Sequence, residues 1–329
     1  MVKLMQSVLT SVKTHVRSGL LADFHKRKIE KAKEKLSKLP PEKAVIELDF
    51  KSLDVVPKVK ERTLYLNPAD EGLSVQLYAW RLREPINTHF LCEFIAHEER
   101  NMDAVIDIGG NIGYFPLVEI VSGAPQVIAI EPVPETYRFL KKNMEQFDNV
   151  KTLNVAVSDK KETVKMYIPS QRNLATISVD ADYFKMAKAT IEEIVDVQAL
   201  LLEDILKTEN MKGKRALVRM DIEGYEKNIT KKLPDEIYAL SFELHAPILG
   251  YSSTMELIEN LKKSGYKIQM MIRELDGLGP LVKLLGVRKA LRFYERLVET
   301  RVFYEPSMSL IKEIIKKQKE NPHILAVKN

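Results

Sequence analysis

The chain has 329 residues, is 45% hydrophobic and carries a formal net charge of +5, which is enough apolar material for one large domain or one domain with an appendage. No apolar run reaches the ~18 residues needed to span a bilayer. The single cysteine, Cys92, excludes an intrachain disulfide framework and suits a reducing cytoplasm.

In chain order, MVKLMQSVLTSVKTHVRSGL lacks a long apolar core and a small-residue cleavage site, so it predicts an amphipathic helix rather than a signal peptide. DFHKRKIEKAKEKLSKLPPEK predicts a charged helix stopped by Pro40 and Pro41. AVIELDF and RTLYLN predict short strands, and EPINTHFLCEFIAHEER a helix with Pro85 in its first turn. Residues 1–75 thus form a basic helix with short strands, and residues 76–329 the main domain. There the chain alternates: strand DAVIDIG, helix from Ile112, strand QVIAIEP, helix PETYRFLKKNMEQF, then strands VKTLNVAVSD, ETVKMYIP and EIVDVQAL. Strand RALVRMDIEG, a short helix near Tyr225, strand EIYALSFELH and helix TMELIENLKKSG continue it. Alternating apolar strands and amphipathic helices predict an α/β fold with a mostly parallel sheet covered on both faces. A helical insertion over about 274–303 breaks the rhythm before a last strand, HILAVK.

Charge is unevenly spread, with residues 1–40 at a net +7 and residues 281–329 at +6 around an acidic middle. The ordinary reading is solvated helix faces. The sharper one is an anionic partner, with peripheral membrane contact as one form of it. The apolar stripe of the insertion is read first as packing, on this domain or on a second copy in a homodimer.

Asp107, Gly109, Asn111 and Gly113 form D-x-G-x-N-x-G where a strand meets a helix, and glycines there let the chain turn tightly. Glu131 ends the next strand, where an acid holds a ribose diol. The pair excludes a P-loop, which needs G-K-[ST], and leaves NAD, FAD or S-adenosylmethionine. A pyrophosphate needs bare amides at a helix N-terminus. Asp107 would repel it but suits an ammonium, so S-adenosylmethionine is the expected cofactor.

VIDIGGNIGYFPL, AIEPVPETYRFLKKN, LNVAVSD, VRMDIEGYE and SFELH together resemble the FkbM-type S-adenosylmethionine-dependent methyltransferases, over about residues 75–250. The resemblance implies a class I methyltransferase fold: a Rossmann-like seven-stranded, mostly parallel sheet with an antiparallel last strand. It implies O-methylation of a hydroxyl on a sugar, glycan or other small molecule. Gly110 stands where the family has alanine. The expected cofactor contacts are Asp107, Gly109, Asn111, Gly113, Glu131, Pro132 and Ala156.

Asp221 and Glu223 follow a strand, on one side by two-residue alternation, and Glu223 serves equally as a helix cap or in substrate contact. Glu243 and His245 share a strand face by the same alternation. His245 is the expected general base, with Asp221 or Glu243 orienting it. A structural hydrogen-bonded pair is the competing reading. These three residues also suit a divalent cation, although no standard metal spacing supports one, and none is expected. Arg172 and Asn173, in a loop over the site, are candidate substrate contacts. A nucleic-acid (tRNA or rRNA) methyltransferase is the alternative suggested by the basic ends, but N-P-P-[YF] and any RNA-binding module are absent. A non-catalytic cofactor-binding protein of the same fold is the second alternative.

Overall fold

The computed structural model describes residues 20–171, 174–176, 190–275, 278–317 and 321–328. In chain order its elements are α1 (Leu20–Leu36), β1 (Val45–Glu47), β2 (Thr63–Tyr65), α2 (Leu73–Trp80) and α3 (Pro85–Glu98). Then come β3 (Ala104–Ile108), α4 (Tyr114–Ser122), β4 (Val127–Ile130), α5 (Pro134–Met144), β5 (Val150–Leu153), β6 (Ala156–Ser158), β7 (Glu162–Pro169) and β8 (Ile191–Leu201). The remainder is α6 (Leu202–Thr208), β9 (Ala216–Met220), α7 (Glu226–Thr230), β10 (Ile237–Glu243), α8 (Ala246–Lys263), β11 (Tyr266–Ile272), α9 (Gly279–Leu285), α10 (Val287–Leu297), β12 (Val302–Tyr304), α11 (Met308–Lys316) and β13 (His323–Lys328).

The main sheet runs β12-β11-β13-β10-β9-β3-β4-β5. Strands β10, β9, β3, β4 and β5 are parallel, and β13 enters antiparallel between β10 and β11. This is the expected seven-stranded arrangement with an eighth strand added. The eighth, β12, is RVFYEP at the tail of the insertion, which pairs with the edge residues Met270–Ile272 of β11 and covers them. Strand β11 itself is not marked by alternation in the sequence. The stretch VKTLNVAVSD splits: β5 stays in the main sheet while β6 joins a three-stranded sheet with β8 and β7. At the break, the Asn154 side chain donates to the carbonyls of Glu131 (2.9 Å) and Pro132 (3.0 Å), tying the chain to the tip of β4 as it changes sheet.

Parity along the central strands divides the interior in two. Val105, Val127, Leu217 and Ala239 face one apolar core with α2, α3 and α4. Ile106, Ile128, Val218 and Leu240 face the other with α6, α8 and α11. Ile46 and Leu64 of β1 and β2 belong to the first core, so residues 44–66 pack into the catalytic unit. Asn143 of α5 holds them there: its side chain accepts from Tyr65 N (2.7 Å) and donates to Tyr65 O (3.0 Å) and Ile112 O (2.7 Å).

The amphipathic helix expected at the N-terminus lies, up to residue 19, outside the described residues; of the basic segments described, α1 and α10 are packed elements. Helix α1 buries Ala32 and Leu36 and turns Lys26, Arg27, Lys31 and Lys35 to water. Helix α10 buries Val287, Ala290, Leu291 and Tyr294, contacts α3, and leaves Lys289, Arg292 and Arg296 exposed. Among the described residues no helix is long and apolar enough to cross a membrane.

This packing sets a prediction. Ala290→Asp places a charge in the α10 contact and should lower stability by about 3 kcal/mol or more, a burial without a partner. Lys289→Glu, one residue earlier and exposed, should stay within about 0.5 kcal/mol. Urea unfolding of both variants checks the pair; equal effects would show that α10 is not docked.

Candidate active site

The loop after β3 is shaped by its own chain before any ligand. Gly109 sits at φ 88°, and a Cβ there would lie 2.2 Å from the carbonyl oxygen of Asp221. Its glycine is therefore needed so that the β3 and β9 loops can touch. Gly113, at φ 98°, would press a Cβ to 3.0 Å from Met144 of α5. Gly110 alone has ordinary room, with nothing closer than 3.5 Å, and it lines the cavity. Asn111 takes a left-handed conformation, φ 48°, and its own Oδ1 accepts from Ile112 N at 2.8 Å.

The cavity encloses about 870 Å³, part of it open to solvent. Gly109, Gly110 and Asn111 from the β3 loop line it, with Glu131 and Pro132 at the tip of β4 and Ala156 on β6. Glu131 is buried. Its Oε2 accepts from Asn111 N at 3.0 Å and its Oε1 from Val133 N at 2.9 Å. Burial pushes its carboxyl up to about 7; these two amides oppose the shift, while Asp107 and Asp221 add to it. Each oxygen retains a lone pair for a diol hydroxyl.

Asp107 and Gly113 are outside this lining. Direct contact between Asp107 and an ammonium is not met by its position. In register, Asp107 of β3 stands beside Arg219 of β9, on the face of the first core. Arg219 Nη1 donates to Asp107 Oδ1 at 3.0 Å, Nη2 donates to Asp221 Oδ2 at 3.1 Å, and the guanidinium lies 3.7 Å from the centre of the Phe115 ring. Arg219 and Asp221 line the cavity and Asp107 supports them from behind. Burial raises the Asp107 carboxyl despite Arg219. Burial also acts to raise Asp221, but Arg219, with His245, Arg83 and His323, outweighs it and holds Asp221 below the usual range. Glu119 of α4 is fully buried, and its carboxyl is pushed well above the usual range by burial first and then by Asp107.

Past Asp221 lies a second polar cluster. Strand β9 ends at Met220 and β10 at Glu243, so alternation carries neither to Glu223 nor to His245. Glu223 is left-handed, φ 51°. His245 precedes α8, yet the turn brings its ring back among acids. Nδ1 donates to Glu226 Oε1 at 2.6 Å; Nε2 lies 3.3 Å from Glu223 Oε2 and 3.9 Å from both Asp221 Oδ1 and Glu243 Oε2. Burial works against its charge, but Glu226, Glu223 and Glu243 prevail and raise it well above the usual histidine value. His245 does not line the cavity, so its position does not bring it to an acceptor hydroxyl as the general base expected of it. Glu223, Glu243 and His245 lie behind Asp221, outside the cavity lining. Arg172 and Asn173 fall outside the described residues; Ala175 and Thr176, just after them, line the cavity.

Sequence reasoning missed Arg83, Tyr114, Arg219 and Tyr225 in the cavity wall, and Glu84 and His323 beside the cluster. Arg219 carried a signal: a charge inside the apolar run ALVRM, two residues before Asp221 on the same face. Glu84 and His323 did not. They meet only because β13 pairs His323 with Glu243.

About half of the chain matches a family of S-adenosylmethionine-dependent methyltransferases. More narrowly, the chain carries a methyltransferase FkbM domain, matched over residues 107–268. A search of curated sequences finds no match. Similar solved structures include the METTL16 MTase domain (18% identity, 58% of this chain and 61% of that one, TM-score 0.35). A SAM-dependent methyltransferase from Agrobacterium tumefaciens is similar at 11% identity, 74% of this chain and 62% of that one, TM-score 0.35. A putative RNA methyltransferase from Pyrococcus horikoshii is similar at 12% identity, 92% of this chain and 98% of that one, TM-score 0.37. The chain spans about three fifths of the length of the first two. Likenesses this distant lend no substrate.

Two outcomes test the loop and the acid. Gly109→Ala should cost roughly 3 kcal/mol or more, from a positive φ and a contact no side chain tolerates, while Gly110→Ala should stay within about 1 kcal/mol; thermal melts compare them. Cofactor affinity by calorimetry should rise about tenfold from pH 6 to pH 8 as Glu131 ionises through its raised pKa. That slope should vanish in Glu131→Gln.

Proposed function

We propose that the protein methylates a hydroxyl of a sugar, glycan or other small molecule, and that Asp221 receives that hydroxyl. The observation that carries the reading is Asp221 itself. Among the described residues it is the one acid shared by the cavity and the cluster behind it, and it is held as an acceptor by Arg219.

The cavity fits the cofactor's parts. Glu131 offers two oxygens to a ribose diol. The apolar side chains of Ile108, Ile130 and Val157 line the wall for a flat ring. Arg83 and Arg219 offer cations for a carboxylate. S-Adenosylmethionine, once bound, supplies an electrophilic methyl group on a sulfonium. The chain's own part is positioning: the Asp221 carboxylate accepts a hydrogen bond from the acceptor hydroxyl and directs its oxygen lone pair. As the oxygen–methyl bond formed and the sulfur–methyl bond broke, leaving a neutral thioether, the hydroxyl proton would pass to this carboxylate. Arg219, buried between Asp107 and Asp221, fixes the carboxylate so that no reorientation accompanies the step.

The test has two readouts. Glu131→Ala should weaken cofactor binding at least about tenfold. Asp221→Asn should leave cofactor affinity within a few-fold and slow methyl transfer by about 100-fold. Labelled cofactor, offered with pooled sugars and glycans and separately with tRNA and rRNA, reads the acceptor class. Label in the RNA fraction alone would sink the small-molecule reading.

A further inference from the structure

We infer that the cluster behind Asp221 is a divalent-cation site, with Asp221, Glu243 and His245 as its ligands. One ligand atom from each of these residues lies within 4.8 Å of the others. An ion with bonds of about 2.1 Å spans about 4 Å between ligands on opposite sides. The His245 Nε2 distances to Asp221 Oδ1 and Glu243 Oε2, both 3.9 Å, match that span and are too long for hydrogen bonds.

The orientation of each group is the second, independent observation. Ligands at metal sites are aimed by partners on their far side. His245 uses Nδ1 to donate to Glu226 Oε1, which leaves Nε2 facing the acids. Asp221 gives Oδ2 to Arg219 and turns Oδ1 toward His245. Glu84 repeats the device one step away: Oε1 pairs with Arg83 at 2.9 Å, and Oε2 lies 3.5 Å from His323 Nε2. Glu84, Glu243 and His323 form a second triad of the same kind, so Glu243 belongs to both. Chain pairing fixes this, since Glu243 of β10 faces His323 of β13 in register.

Charge agrees with the geometry. Five carboxylates, of Glu84, Asp221, Glu223, Glu226 and Glu243, gather around two imidazoles, with Arg83 and Arg219 the guanidiniums that pair with them. Without an ion, these acids favour the charged form of His245 and burial favours the neutral form of Glu243, so a cation bound here would displace protons. Carboxylate oxygens with an imidazole suit Mn²⁺ or a similar first-row ion. Because Asp221 also lines the cofactor cavity, such an ion lies at the cavity's inner wall. There it would hold an acceptor oxygen and make its proton more acidic. That role rests on the proposed function, whereas cation binding does not.

Mn²⁺ titration followed by electron paramagnetic resonance, on full-length protein stripped with chelator and without cofactor or acceptor, is the test. The native chain should bind one Mn²⁺ with a dissociation constant below 100 µM, a value on the order of those carboxylate sites reach. Glu243→Gln, isosteric and remote from the cofactor, should weaken Mn²⁺ binding at least about tenfold with cofactor affinity unchanged, which also certifies its fold. His245→Asn should do the same where it folds. No binding below millimolar Mn²⁺, or binding indifferent to Glu243→Gln, would overturn the site while leaving the methyltransferase reading intact.

Discussion

The buried guanidinium of Arg219 is the interaction on which the site depends. It sits on the central strand, flanked by Asp107 in register on β3 and by Asp221 at its own strand's end. Removing such a group would leave the buried Asp107 carboxylate without its counter-charge, at several kcal/mol, and would free Asp221 from its partner. The ring of Phe115 closes over its face, so the cation contacts carboxylates on its edge and a π-cloud on its plane. One residue thereby joins the end of β3, the tip of β9 and helix α4.

That arrangement explains why Asp107 belongs to the motif even though it does not line the cavity. An acid at the end of β3 fixes a cation on β9, and the cation fixes Asp221. The contact between Gly109 and the Asp221 carbonyl, too close for any side chain, locks the same two loops through their backbones. Loop and strand tip are thus held twice, once by charge and once by steric fit.

The layered fold was legible because its strands are apolar on both faces and its helices amphipathic, a signal that local sequence carries. Glu131 was legible for the same reason, as an acid ending an apolar strand. What escaped was set by pairing between distant segments. His323 and Glu84 acquire meaning only next to Glu243, and no spacing announces them. The strand face expected to be shared by Glu243 and His245 does not exist, because β10 stops at Glu243 and alternation does not extend into the turn. Alternation also joined β5 to β6, where Asn154 parts them. The edge strand β12 went unread because three residues, VFY, are too few to show a period.

The union of β1 and β2 with the main core has a consequence for the limits of this domain. The region matched to the family ends at residue 268, inside β11, and begins at residue 107, inside β3. Strand β13, which lies between β10 and β11, falls wholly outside it. A fragment cut to those limits would lose the central partner of two strands and bare the apolar surface now covered by Ile46, Leu64 and α3. The matched stretch is therefore contiguous in the chain but perforated in space, and the flanking segments supply the strand and the core cover it lacks.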